Sequence, residues 1–557
     1  MVSIASQRRA YTAILFIAAL VPSAYLAFHW RAMPHLGFYH DDGLYWVGGL
    51  SLATGHGYRI LSLPGQPYQT KYPPVFSALL ALVWKLNPAF PANLPLATLL
   101  VWLLLPAYLL LVRALLKRYG FSPLEQAVLC LIAGLNPMCA LFSFSLMPEL
   151  LITSLLVLSL LLADRFAALS GITGALAYLT RSAALPLLLT VPLVLILRKR
   201  YKQAGIFALT MLPAVITWQL WTWRHISPSR DPVTLYYTNY LGLQLHNVAL
   251  ADLPSVIWHN LDAFLTAIGK LLLFDIGSIS GKPLARVVAI AAIAGIVRLA
   301  RRTGNLQYPF AALAYSALLL VWCYQPDERF VFPLYPLLLA GLWTELRNLV
   351  ATLKTAWAKR GPDRVAASIG AAALTTFALF VAFTHAYGLT HVIPDLMAAY
   401  QSDLEHRRPA YDWIARQSPD SANVFAYDDP LLFLYTGRKS CSLAIPPKLI
   451  YYDEHATDAL VRAIPEFARE HRLQYLLVTS DDFYRDLHQR GVRQLAASLQ
   501  SHLHNDATLE RTFWSPAASV YRLIPQPATI TTNAFTSCDS AGGMLGSLVC
   551  REEARHP

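Results

Sequence analysis

Few side chains in this chain can do chemistry, and those few sit at the ends of apolar runs. FYHDDGLYW (38–46) places Asp41 and Asp42 side by side after His40, and YQTKYPP (68–74) carries Lys71 and Tyr72 ahead of two prolines. SLMPELL (145–151) sets Glu149 behind Pro148, and AYLTRSAALP (177–186) interrupts a nearly continuous apolar stretch with Arg181. CYQPDERFVFPLYPLL (323–338) gathers Asp327, Glu328 and Arg329 at a turn. Each has an ordinary use. One aspartate caps the helix that follows it, Lys71 anchors the next helix by snorkelling, and Glu149 suits a helix dipole. Asp327 and Glu328 cap the helix they precede. Two adjacent carboxylates at a membrane edge exceed what a cap needs, and a lone arginine inside an apolar run takes a partner or an anion. Acids beside phosphate-suited cations point to a lipid phosphate and to proton abstraction.

The elements that position these groups are transmembrane. Of 557 residues, 55% are hydrophobic and only 14% are charged, the balance of a polytopic membrane protein. The formal charge of +12 has no basic stripe or motif for nucleic acid, which is excluded as a partner. Apolar runs near 11–29, 95–117, 124–142, 149–164, 167–180, 183–198, 205–223, 284–300, 306–324, 329–347 and 365–385 predict eleven spans, the first an uncleaved one. Basic residues fill alternate loops: Arg113, Lys117 and Arg118; Arg198, Lys199, Arg200 and Lys202; Arg298, Arg301 and Arg302; Lys354, Lys359, Arg360 and Arg364. The positive-inside rule then sets the N-terminus in the cytoplasm and the acid-bearing loops outside. Residues 30–94 hold two short helices, 43–54 and 74–86, read as interfacial, and 252–275 is a further amphipathic candidate.

Beyond about residue 388 charges become frequent and strand-like runs (423–427, 474–480, 519–524) alternate with helical ones (407–417, 456–471). This predicts an α/β domain over 389–557, extracytoplasmic, with a disordered tail after about 526. Cys538 and Cys550 could pair there if that end is outside. The other cysteines show no metal-ligand spacing, and His40 has no spaced partner.

The order of these motifs resembles the GT-C superfamily, polytopic glycosyltransferases that use polyprenyl-phosphate-linked sugars. The likeness is to the bacterial branch related to protein O-mannosyltransferases and the lipid A aminoarabinose transferase. It rests on the acidic pair in the first outer loop, KYPP, the Pro-Glu opening a later span, LTR and ERFVFPLYPLL, and it covers roughly residues 10–345. The resemblance implies a multi-pass protein of the inner (cytoplasmic) membrane. It implies transfer of a sugar, with inversion, from a polyprenyl-phosphate donor to a hydroxyl of a lipid, glycan or protein. Asp41 would be the general base, Asp42 would orient it, and Glu149 would shape the site. Lys71, Arg181 and Arg329 would hold the lipid phosphate, with His40 and Tyr72 as accessories. No cofactor and no metal is expected. The family pair is commonly Asp-Glu, whereas this chain has Asp-Asp. The alternative is a proton-coupled transporter or lipid flippase, which would show inverted repeats and mid-span ionisable groups.

Overall fold

The computed structural model describes residues 4–524 except 229–230, 275–280, 360, 444–458, 460, 481 and 483–491. Cys538, Cys550 and the segment after 526 therefore lie outside the described residues. The protein is a polytopic α-helical membrane protein with a small mixed sheet. It falls into two compact units, residues 1–56, 72–221 and 251–402, and residues 57–71, 222–250 and 403–557. The sequence reading draws a single line near 388. The chain instead passes to the second unit three times, taking Lys71 with it.

In the first unit, apolar runs fold as α1 (Ile4–His29), α2 (Asp41–Ala53), α3 (Val75–Leu86), α4 (Leu94–Trp102) and α5 (Leu104–Arg118). They are followed by α6 (Pro123–Gly134), α7 (Pro137–Phe142), α8 (Glu149–Leu162), α9 (Ala167–Thr180), α10 (Pro186–Leu197) and α11 (Tyr201–His225). After α12 (Pro232–Thr238) and α13 (Tyr240–Asn247) of the second unit come α14 (Leu253–Leu273), α15 (Gly281–Thr303), α16 (Gln307–Leu320), α17 (Glu328–Val331), α18 (Tyr335–Trp357), α19 (Pro362–Tyr387) and α20 (Ile393–Gln417), whose residues from 403 onward belong to the second unit. Among the described residues six helical stretches are long and apolar enough to cross a membrane, and five more are apolar but shorter. The expected runs 95–117 and 124–142 are each two helices, the second broken where Asn136 caps α7 with its side chain. α2 is buried on nearly every face and packs on α3, where Gly49 meets Ser77 and Leu80.

One end of the bundle is defined by charge. Arg118, Arg198 and Arg200 converge on Asp164, and Gln307 donates to the same carboxylate. This gathers the C-termini of α5, α8 and α10 with the N-termini of α11 and α16. α15 and α18 run parallel and touch backbone to backbone: a Cβ on Gly295 would lie 1.9 Å from the Gly341 carbonyl oxygen, so only glycine fits.

α14 has the length and apolarity of a span, yet its contacts run along the opposite end of the bundle. Asn260 donates to the carbonyls of Leu319 and Trp322 at the end of α16, and Asp262 pairs with Arg286 at the start of α15. The Leu271 carbonyl accepts from Asn136, and the Leu273 carbonyl accepts from Thr384 near the end of α19. A helix of about 32 Å whose successive partners all lie at one end of the spans runs across those ends.

The second unit is built on a five-stranded sheet of order β2-β1-β3-β5-β4, with β1 (Asn423–Phe425), β2 (Lys439–Cys441), β3 (Tyr475–Thr479), β4 (Leu509–Trp514) and β5 (Ala518–Leu523). β2, β1 and β3 are parallel, and β3, β5 and β4 antiparallel. Helix α21 (Asp429–Thr436) joins β1 to β2. The segments 57–71 and 222–250 are tied into this unit. Ser440 N–H donates to the Ser62 carbonyl, and the Tyr237 hydroxyl donates to Asp429 at 2.7 Å.

Candidate active site

The acidic pair divides its work. Gly37, with φ +93°, and His40, with φ +58°, bend the chain sharply before α2. A histidine in that region is strained, and local contacts must hold it. Asp42 supplies them: its carboxylate accepts from the N–H of Gly37 at 3.0 Å and of Gly43 at 2.9 Å. Asp42 thus clamps the turn from within the first turn of α2, whose N-cap is His40 without a side-chain cap bond, so neither aspartate is the cap expected from the sequence. His40 forms the turn backbone, and among the described residues no three His, Cys, Asp or Glu side chains gather as a metal site.

Asp41, on the same turn, carries different bonds. The Tyr72 hydroxyl donates to its Oδ1 at 2.5 Å, and Arg329 Nη1 donates to its Oδ2 at 3.0 Å. Both side chains of the ion pair are close to nine-tenths buried. Arg329 does not pair with its sequence neighbours. Asp327 caps α17, accepting from the N–H of Arg329 and Phe330, which leaves the guanidinium to reach Asp41.

A second ion pair stands beside the first. Glu149 opens α8 and is wholly buried, and its Oε1 accepts from Arg181 Nη1 at 2.6 Å. Arg181 is placed by a break: α9 stops at Thr180, Arg181 is extended, and a 3₁₀ turn over Ser182–Ala184 precedes α10. The Glu149 carboxylate is the partner that an arginine at this position was expected to need. Glu149 lies in electrostatic range of Arg329 and Asp41, so the two pairs form one cluster. Phe330 separates the two guanidiniums, 5.2 Å from Arg181 and 4.8 Å from Arg329, and Tyr39 lies 5.2 Å from Arg329 on another side. Tyr315 fixes Phe330 by donating to its carbonyl at 2.8 Å. Glu149 Oε2 and Arg329 Nε have no hydrogen-bond partner among the described residues.

The first unit therefore brings together Asp41, Asp42, Tyr72, Glu149, Arg181 and Arg329. Lys71 is described with the second unit, where its ammonium lies 4.0 Å from the ring of Tyr236 and 4.9 Å from that of Tyr240. Tyr39, Tyr315 and Phe330 were not singled out from the sequence. The signal available was an aromatic next to a charge in FYHDD and ERF. Chemically, the cluster offers a carboxylate able to accept a proton, two guanidiniums able to hold an anion, and aromatic walls that keep water out.

No protein-family model matches the chain, and no curated protein sequence matches it. Among solved structures, it is similar to ArnT from Cupriavidus metallidurans in the apo state, at 12% identity over 86% of this chain and 92% of that one, with a TM-score of 0.48. It is similar to the same protein bound to undecaprenyl phosphate, at 11% identity over 90% and 97%, with a TM-score of 0.49. It is also similar to the apo oligosaccharyltransferase of Archaeoglobus fulgidus, at 13% identity over 87% and 72%, with a TM-score of 0.48.

Proposed function

We propose that this protein is an inverting membrane glycosyltransferase that moves a sugar from a polyprenyl-phosphate donor to an extracytoplasmic acceptor hydroxyl. The observation that carries the reading is the coupled cluster of Asp41–Arg329 and Glu149–Arg181, with the Tyr72 hydroxyl on Asp41. Asp41 takes the acceptor's hydroxyl proton as that oxygen attacks the anomeric carbon. The bond from that carbon to the phosphate oxygen breaks, and its electron pair leaves with the lipid phosphate. Arg329 and Arg181 stabilise the charge gathered on the leaving group. Glu149 fixes Arg181, and Asp42 fixes the turn that aims Asp41. Lys71 is assigned to the phosphate by the resemblance of KYPP alone. The inner membrane, a cytoplasmic N-terminus and an outward-facing second unit belong to the same proposal, supported by the loop charges.

The charged groups sit where helices start or stop, as a reaction at a headgroup requires. A transporter binds its cargo at mid-span. The test is sugar transfer in proteoliposomes offered a panel of polyprenyl-phosphate sugars, comparing wild type with Asp41→Asn. Transfer by wild type and its loss in the variant, with donor binding retained, is the expected result. Full transfer by Asp41→Asn would remove the base, and uptake or lipid movement without transfer would favour the transporter.

A further inference from the structure

The proposed base and the proposed phosphate ligand are bound to each other. Asp41 is gripped by Arg329 at 3.0 Å in a site close to nine-tenths buried. A carboxylate so paired is a poor base, because its proton competes with a guanidinium. The guanidinium meets Asp41 through Nη1, while its Nε is buried with no partner among the described residues. The Nε–H of the donor fork is thus unused, and phosphate is a ligand that takes such a fork at two points. The other guanidinium stays fixed to Glu149, a group with no exposure at all, so Arg181 adds positive charge to the site without leaving its partner. Arg329 also sits on the shortest helix of the first unit among the described residues, between the Asp327 cap and the 3₁₀ turn at Phe332–Leu334. A segment of that kind moves its side chain without disturbing a long helix.

We infer that the Arg329–Asp41 pair is a latch. The phosphate of the arriving lipid draws Arg329 off Asp41, and the carboxylate becomes a competent base only once the donor is in place. The inference rests on the donor reading above and extends it to the order of binding. Donor precedes acceptor, and water meets no active base in the empty site. It also gives Asp41 a role besides proton transfer, that of a competitor with phosphate for the same guanidinium.

A double-mutant cycle on the full-length protein in nanodiscs tests this, with polyprenyl phosphate as the probe and the matching polyprenol as the phosphate-free control. If Asp41 competes for Arg329, Asp41→Asn tightens polyprenyl phosphate binding by about tenfold, and less than about twofold when Arg329 is already Gln. Arg329→Lys, which keeps the charge, preserves the tightening and serves if Arg329→Gln does not fold. Equal tightening in both backgrounds would mean plain repulsion between Asp41 and the phosphate, and would overturn the latch. So would no tightening beside native Arg329. Wild type that binds polyprenyl phosphate no better than polyprenol would overturn the donor reading itself, and the latch with it.

Discussion

The first unit has two charged centres, one at each end of its helices, and they are built differently. At one end Asp164 receives Arg118, Arg198 and Arg200, and each of these arginines also donates to a backbone carbonyl near a helix end. Arg118 donates to the carbonyls of Leu160 and Leu161, Arg198 to that of Gly304, and Arg200 to that of Asp164. At the other end, Asp41, Glu149, Arg181 and Arg329 are more deeply buried and walled by aromatic rings, and Glu149 Oε2 and Arg329 Nε have no hydrogen-bond partner among the described residues. Three arginines around one aspartate would look like an anion site on charge alone. Their hydrogen bonds show a fastening between helices. The candidate site differs in keeping bonding capacity that the fold leaves unused, and a buried polar atom without a partner is costly to keep.

The largest effect that would break this contrast is catalytic. Asp41→Asn is expected to lower transfer per folded molecule on the order of 10³- to 10⁴-fold, about 4–5 kcal/mol in the barrier, beyond any loss of stability from leaving Arg329 without its carboxylate. Next comes Arg181→Met, which strands Glu149 in the interior and should cost about 3–5 kcal/mol of stability by thermal unfolding in detergent. Adding Glu149→Leu should recover most of that loss without restoring transfer, separating the pair's structural value from its use.

A neutral group near the same end gives a third, pH-dependent effect. His35 is buried against Ser145 and Phe144, and burial pushes its pKa down to about 4. The unfolded chain takes that proton near 6.5, so protons favour unfolding between the two values. Stability is complete above about 6.5 and is lost as pH falls toward 4, by about 3 kcal/mol, and His35→Gln should flatten that slope in melting scans. The smallest effect belongs to the fastening. Asp164→Asn should cost only about 1–2 kcal/mol, since its arginines are partly solvated, and leave transfer per folded molecule intact. A loss of transfer there beyond the loss of folded protein would erase the distinction between the two ends.

How much of this was legible in the sequence follows from range. Apolar runs report burial locally, so α9 was read to the residue and α8 and α15 to within a few residues. Glu149 at a helix start was legible for the same reason, because the helix end lies beside it, whereas Asp42 lies inside α2 and clamps the turn before it. The partner of Arg329 was not. It lies 288 residues away, and the nearer choices, Asp327 and Glu328, were chemically as good. Lys71 and Tyr72 are adjacent and were read together, yet the division between units falls between them. β2 was missed because three residues carry no period, and β4 because LERTFW lies largely exposed at a sheet edge and alternates poorly.

The course of α14 across the helix ends has a consequence in time. Its Asn260 is fastened to the Trp322 carbonyl, 62 residues later in the chain. At about 5–20 residues per second, synthesis leaves this apolar helix waiting about 3–12 s for the bond that holds it flat. During that interval its hydrophobicity argues for crossing the bilayer. What resists is the basic run Arg298, Arg301 and Arg302 at the end of α15, made before α16 exists. That run is complete before α16 is made, and long before Asp41 meets Arg329.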